Sequence, residues 1–188
     1  MSTHADPPET PLSPLAGADD VTTYARDLPA PQPHTEAELE ALLGLLAMKP
    51  QPRTVAIGHS RDGPSAAAAE AFASAWQARG GQVLAVVNWP ETAASWLRPA
   101  TRLTAGGPDA WVIAAGVLGF AQLARRLRHS TDFDPARAFA FATLNDSRLT
   151  ALTGPAALHG LRGASADGGT WDVRRGWVTS YPRSGERV

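Results

Sequence analysis

Thr54-Val55-Ala56-Ile57, then Ser65 through Arg79, then Gly80-Gly81, then Val83-Leu84-Ala85-Val86-Val87: this stretch decides the fold. Four consecutive apolar residues with two β-branched members read as a short buried strand. The alanine-rich run from Ser65 reads as a helix, and Gly80-Gly81 is a natural place for it to end. A second apolar run follows at once. Strand, helix and strand over some 34 residues is a βαβ unit, which closes only as two parallel strands with a right-handed crossover.

The same alternation continues outward. Upstream, Thr35-Glu36-Ala37-Glu38 is a capping box that opens an apolar-periodic helix through Leu39, Leu42, Leu43 and Leu46, stopped at Lys49-Pro50. Downstream, a helix is expected from Thr92 to Leu103, broken near Pro99 and ended by Gly106-Gly107-Pro108. Ala110–Ala114 is a third strand, Leu118–Arg128 a third crossover helix and Ala138–Ala142 a fourth strand. Leu149–Leu152 is a helical turn and Leu161–Ala164 a candidate fifth strand. Thr170–Val173 and Trp177–Ser180 flank Arg174-Arg175-Gly176 and read as a β-hairpin. The expected fold class is α/β: a doubly wound, mostly parallel sheet of four to five strands, with helices on both faces and a C-terminal hairpin.

The 188 residues hold no cysteine, 17 basic and 18 acidic side chains, for a formal charge of −1. The absent cysteines exclude a disulfide framework and a thiolate zinc site. The near-zero charge lacks the basic footprint of a nucleic-acid binder, so no nucleic acid is expected as partner. No apolar run reaches the length that spans a bilayer, so no membrane is expected either. The distribution is uneven. Nine of the 16 prolines lie in residues 1–53, and residues 1–50 carry a charge of −6 against +5 for the remainder. Residues 1–34 are expected to be an acidic, proline-rich, disordered arm, either solvated or laid across the basic remainder. Residues 35–182 are the expected folded lobe and 183–188 a tail. The opening Met1-Ser2-Thr3-His4-Ala5-Asp6-Pro7-Pro8 lacks the basic start and apolar run of a secretory signal, which makes a cytoplasmic location the expectation.

Four pieces in this order suggest a family. The helix leading into Pro52-Arg53-Thr54-Val55-Ala56-Ile57, the helix ending Ala78-Arg79-Gly80-Gly81-Gln82-Val83, Gly107-Pro108-Asp109-Ala110-Trp111-Val112-Ile113, and Leu152-Thr153-Gly154-Pro155-Ala156-Ala157-Leu158-His159-Gly160 carry it. Over about residues 35–164 the chain resembles the second lobe of type I periplasmic binding proteins, the branched-chain amino-acid and amide receptors of ABC importers. Those proteins bind a solute between two lobes. The resemblance implies a small polar ligand, and a second copy or a separate partner lobe against the open edge. Residues 1–34 are too few to build a first lobe.

In an open α/β sheet, ligands bind at the carboxyl ends of the strands. The loops there offer His59, Ser60, Arg61, Asp62, Asn88, Trp89, Asn145 and Asp146 as candidate ligand-binding residues. Trp89 would be an aromatic plate, Arg61 a carboxylate partner, and the hydroxyl and amide groups would orient the solute. The alternative is that this edge packs against another lobe or copy, as a homodimeric interaction module. A third reading is enzymatic. Gly58-His59-Ser60-Arg61-Asp62-Gly63 is similar to a nucleophile elbow, and Asp146 and His159 follow in the order of a Ser60–Asp146–His159 hydrolase triad. His59 with Asp62 could instead serve as an acid–base pair. No cofactor is expected, since Gly58 and Gly63 do not make a dinucleotide or Walker loop, and the scattered histidines suggest no metal. Arg125, Arg126 and Arg128 would complement a helix dipole. Trp76, Trp96 and Trp111 are expected in the core. Trp171 and Trp177 would pair across the hairpin or form an exposed aromatic patch.

Overall fold

A computed structural model describes residues 15–183. The helices are α1 (Ala18–Tyr24), α2 (Glu36–Leu46), α3 (Gly63–Ala78), α4 (Leu97–Thr104), α5 (Val117–Ser130) and α6 (Ser147–Thr153). The strands are β1 (Thr54–Ser60), β2 (Gln82–Trp89), β3 (Ala110–Ala114), β4 (Ala138–Ala140), β5 (Arg162–Ala164), β6 (Thr170–Arg174) and β7 (Trp177–Tyr181). They form one seven-stranded sheet in the order β2-β1-β3-β4-β5-β6-β7. The pairs from β2 to β5 are parallel; β5–β6 and β6–β7 are antiparallel. This is the α/β sheet with a C-terminal hairpin that the alternating apolar runs imply.

Period-two alternation divides the core. Trp111 and Ile113 of β3 face one apolar layer, with Trp89, Leu103, Phe120 and Leu127. Val112 and Ala114 face the other, with Leu42, Leu46, Phe72 and Trp76. Each layer lies between the sheet and its helices, so the strands are apolar on both faces. At the edge this rule lapses. In β2, Leu84 is 37% and Val86 50% exposed. The register slips between Val55 and Ala56, so Leu84 has no partner on β1.

Local chemistry explains the helix limits. Thr35 and Glu38 form the reciprocal capping box. Asp62 caps α3, with Pro64 in its first turn. The helix expected from Thr92 to Leu103 is shorter: α4 starts at Leu97, after buried Trp96, which gives it no side-chain cap. Pro99 does not break it, because a first-turn N–H has no helical acceptor to lose. The hairpin turns on Arg175 and Gly176, both at positive φ, as a two-residue type I′ turn requires. Its register opposes Trp171 to Ser180 and Trp177 to Arg174. The tryptophans therefore neither pair nor share a patch: Trp171 is buried, its indole donating to the Ala164 carbonyl, and Trp177 is 74% exposed.

Of the acidic arm, residues 1–14 lie outside the described residues, as do 184–188 of the tail. From Leu15 the chain carries α1, which packs on α6, and Val21 and Leu28 meet the first apolar layer. Arg148 donates to the Asp27 carbonyl at 3.2 Å and so ties this segment down. Arg125 donates to the Leu152 and Thr153 carbonyls at the end of α6.

Candidate functional site

Parallel pairing brings the carboxyl ends of β1, β3 and β4 to one edge, and residues 29–34 cross it. Pro29, Pro31 and Pro33 alternate there, and each locks its own φ, so this strap is stiff before it packs. Beneath it lies a cavity of about 230 Å³. The β3 end contributes Ala114 and Ala115, the β4 end Phe141, Thr143, Asn145 and Asp146, and the α3 start Pro64 and Ser65. From the strap and α2 come His34 and Glu38.

Most polar groups on this wall are engaged. Asn145 exchanges hydrogen bonds with the Ser180 hydroxyl at 3.1 and 3.2 Å. Asp146 caps α6 through the Arg148 N–H and binds the Arg148 guanidinium at 2.6 Å. The Arg148 hydrogen bond holds its carboxyl below the usual carboxylate range, against the opposing effect of burial. Glu38 is 3% exposed, and its carboxylate accepts from the backbone N–H groups of Ala142 and Thr35. Burial nonetheless pushes its pKa up, outweighing those bonds and nearby His34. Edge-on contact with Phe141 positions the His34 ring at 6.0 Å between centroids. One group differs. The Ser65 hydroxyl is buried, lines the cavity and has no hydrogen-bond partner among the described residues.

Among the expected ligand-binding residues, only Asn145 and Asp146 line this cavity. Ser60 is buried, and its Oγ accepts the Gly116 N–H at 2.9 Å, which ties β1 to the start of α5. His59 Nδ1 lies 2.7 Å from the Ser60 carbonyl. Arg61 donates to the Asn88 side chain at 2.9 Å, forming a separate exposed pair. Asp62 accepts the Ser65 N–H as the α3 cap. Trp89 is 1% exposed and packs over Gly58 inside the core, so it offers no aromatic plate. A Cβ at Gly58 would sit 2.7 Å from the indole.

The structure does not assemble the Ser60–Asp146–His159 triad. Ser60 and Asp146 lie at the carboxyl edge. His159 precedes β5 and accepts the Arg175 N–H at 3.4 Å, beside Pro135 ahead of β4. That is the amino-terminal pole of the parallel strands, the opposite end of the sheet. His59 and Asp62 are likewise engaged with backbone groups rather than each other.

Sequence reasoning missed His34, Glu38, Ser65 and Phe141 as cavity residues. Glu38 was legible as a capping-box residue, and Ser65 as a first-turn residue on the ligand-side loop. Neither pattern indicates which group another segment will cover.

No family model and no curated protein matches this chain. Its fold matches solved structures. A substrate-binding periplasmic protein from Ralstonia solanacearum superposes with a TM-score of 0.58 at 14% identity, over 81% of this chain and 43% of that one. An extracellular ligand-binding receptor from Verminephrobacter eiseniae gives 0.57 at 16% identity, over 67% and 35%. A branched-chain amino acid ABC transporter periplasmic ligand-binding protein from Burkholderia xenovorans gives 0.50 at 12% identity, over 80% and 35%. The match thus spans well under half the length of each. These similar proteins are periplasmic or extracellular, and that finding overturns the cytoplasmic expectation drawn from the opening residues. Among the described residues no helix is long and apolar enough to cross a membrane. The resemblance read from the four sequence pieces holds at the level of fold: this chain carries the α/β fold of the periplasmic ligand-binding proteins of branched-chain amino-acid ABC transporters, over a length corresponding to part of one such receptor.

Proposed function

We propose that the chain is a solute-binding lobe that takes a small, uncharged polar molecule, such as a primary amide, in the cavity under residues 29–34. The unpartnered Ser65 hydroxyl carries this reading. A buried hydroxyl without a partner costs about 1–3 kcal/mol, and a ligand that bonds it recovers that cost. The edge location fits the rule for ligands on open α/β sheets. The volume, about 230 Å³, suits a molecule of few heavy atoms. Charge argues against a zwitterion. Asp146 is neutralised by Arg148, and Glu38 is spent on two backbone N–H groups, so neither carboxylate is free for an ammonium group. Catalysis is not part of the proposal.

A thermal-shift panel of amides, polyols, amino acids and small acids tests it. Ligand at about 100 times Kd adds about 2.7 kcal/mol of stability. For a domain of this size that is a Tm rise of about 5–10 °C. Amides should raise Tm and amino acids should not. A panel without any shift refutes the binding role, and a response confined to amino acids refutes the ligand class.

A further inference from the structure

We propose a second binding site, at the opposite pole of the sheet, for small organic anions with an apolar body. A groove of about 550 Å³ opens where β1, β3, β4 and β5 begin. This is within the usual size range of small-molecule pockets. Its floor is apolar, from Leu45, Leu46 and Phe139, and Met48 stands 59% exposed at its side. Four cations line it: Lys49, Arg53, Arg137 and Arg162. The one acid is Asp109, whose Oδ2 already accepts from the Arg53 N–H, the Thr54 N–H and the Thr54 hydroxyl, each at 2.9 Å.

One of the cations, Arg162, is held ready within the groove. The Arg162 guanidinium lies 4.7 Å over the Phe139 ring in the groove, whereas that of Arg137 lies 4.8 Å over Trp111, which faces the other apolar layer of the sheet. A guanidinium kept over an aromatic face has restricted rotamers, while its in-plane N–H groups remain able to donate. Their bonds within the fold are long and few. Arg162 donates to the Ala136 carbonyl at 3.4 Å; Arg137 donates to the Asp109 carbonyl at 3.5 Å and meets Asp134 at 3.5 Å. Each guanidinium has five N–H donors, so donors remain. Lys49, Arg53 and Arg162 have no acidic side chain within 4.0 Å among the described residues. An oxyanion would meet Arg162, with Lys49 and Arg53 lining the same groove, charge-assisted, while its hydrocarbon part covers Leu45, Met48 and Phe139. The cations fit carboxylate and phosphate alike; the apolar floor selects for an attached chain. A nucleic acid would gain nothing from that floor.

The full chain, isotopically labelled, is titrated with octanoate, octyl phosphate, octanol, acetate and inorganic phosphate, following backbone amide shifts. Octanoate or octyl phosphate should give saturable shifts around residues 48–53, 136–139 and 162, and the tighter of the two identifies the preferred oxyanion. Octanol, acetate and inorganic phosphate should bind at least about tenfold more weakly, because each lacks one half of the recognition. Arg162→Gln should weaken the preferred ligand by about tenfold, and Lys49→Gln, at an exposed residue, gives the same test without touching the aromatic contact. Ser65→Ala should leave this binding unchanged. The proposal is overturned by the absence of saturable shifts at these residues, by octanol matching octanoate, or by ligand affinity that ignores both charge substitutions.

Discussion

Replacing Ser65 by alanine should stabilise the free protein and weaken its ligand response. Ser65 is at the third position of α3, 3% exposed, with its Oγ unpartnered. The Asp62 cap bonds its backbone N–H at 2.8 Å, so the cap survives the substitution. Removing the hydroxyl removes the cost of holding it away from water, about 1–3 kcal/mol when nothing compensates. Alanine is also the better helix former, by a few tenths of a kcal/mol. Against this stands the loss of one small atom's packing. The net expectation is a gain of about 1 kcal/mol, or about 2–4 °C in Tm for a domain of this length. The bond to a neutral ligand would be lost, and affinity for a responding amide should fall about 2- to 12-fold. Thermal unfolding gives the first number, and calorimetric titration with the best amide from the panel gives the second. A variant that is destabilised by 1 kcal/mol or more, with amide affinity intact, refutes the reasoning. Ser65 would then have a structural partner, and the cavity would lose the feature that marks it as a binding site.

Other outcomes follow from the same contacts. Gly163→Ala should destabilise severely, by at least about 3 kcal/mol, because its Cβ would lie 2.2 Å from the Trp171 ring and 2.4 Å from the Ala140 carbonyl oxygen. Gly58→Ala meets only side chains, the nearest at 2.7 Å, and should cost about 1–3 kcal/mol; urea unfolding midpoints rank the two. Asp109 is held below its ordinary pKa by the Thr54 and Arg53 N–H groups, and Asp146 by Arg148. A lowered carboxylate pKa contributes stability above the unfolded value near 3.9 and loses it as pH falls through the folded value. Stability should therefore decline below about pH 5, and Asp109→Asn should reduce the proton uptake on acid unfolding by up to about one proton. Glu38 has the opposite sign: its raised pKa means that stability falls as pH rises through the folded value. Glu38→Gln should remove that dependence, measured as the slope of unfolding free energy against pH.

The legible features are those written in neighbouring residues. Thr35 and Glu38 are three apart and announce the start of α2. Gly80 and Gly81 mark the end of α3, and the apolar runs at 54–57, 83–87 and 110–114 place three parallel strands. Those runs also place the ligand edge, because parallel strands share one carboxyl end. Individual roles were harder to read. Trp89 sits on the loop side of β2 in the sequence, yet the alternation of that strand turns it into the core against Gly58. Ser60 has the setting of a nucleophile, but α5 begins beside it and Gly116 takes its hydroxyl. His159 follows Ser60 and Asp146 in hydrolase order, and chain order carries no information about which end of the sheet a residue reaches.

By itself, the sequence determined the order of elements, the two apolar faces of the sheet and the edge where a ligand belongs. Periodicity and caps act over a few residues, and such short-range rules survive without knowledge of distant segments. Only the tertiary structure decided that residues 29–34 cross that edge, that Glu38 of α2 reaches Ala142 beyond β4, and that the Ser65 hydroxyl is left without a partner. It also gathered Lys49, Arg53, Arg137 and Arg162 around one groove from three separate parts of the chain. The reason is physical: whether a polar group is desolvated, paired or free depends on what packs against it, and those neighbours lie tens of residues away.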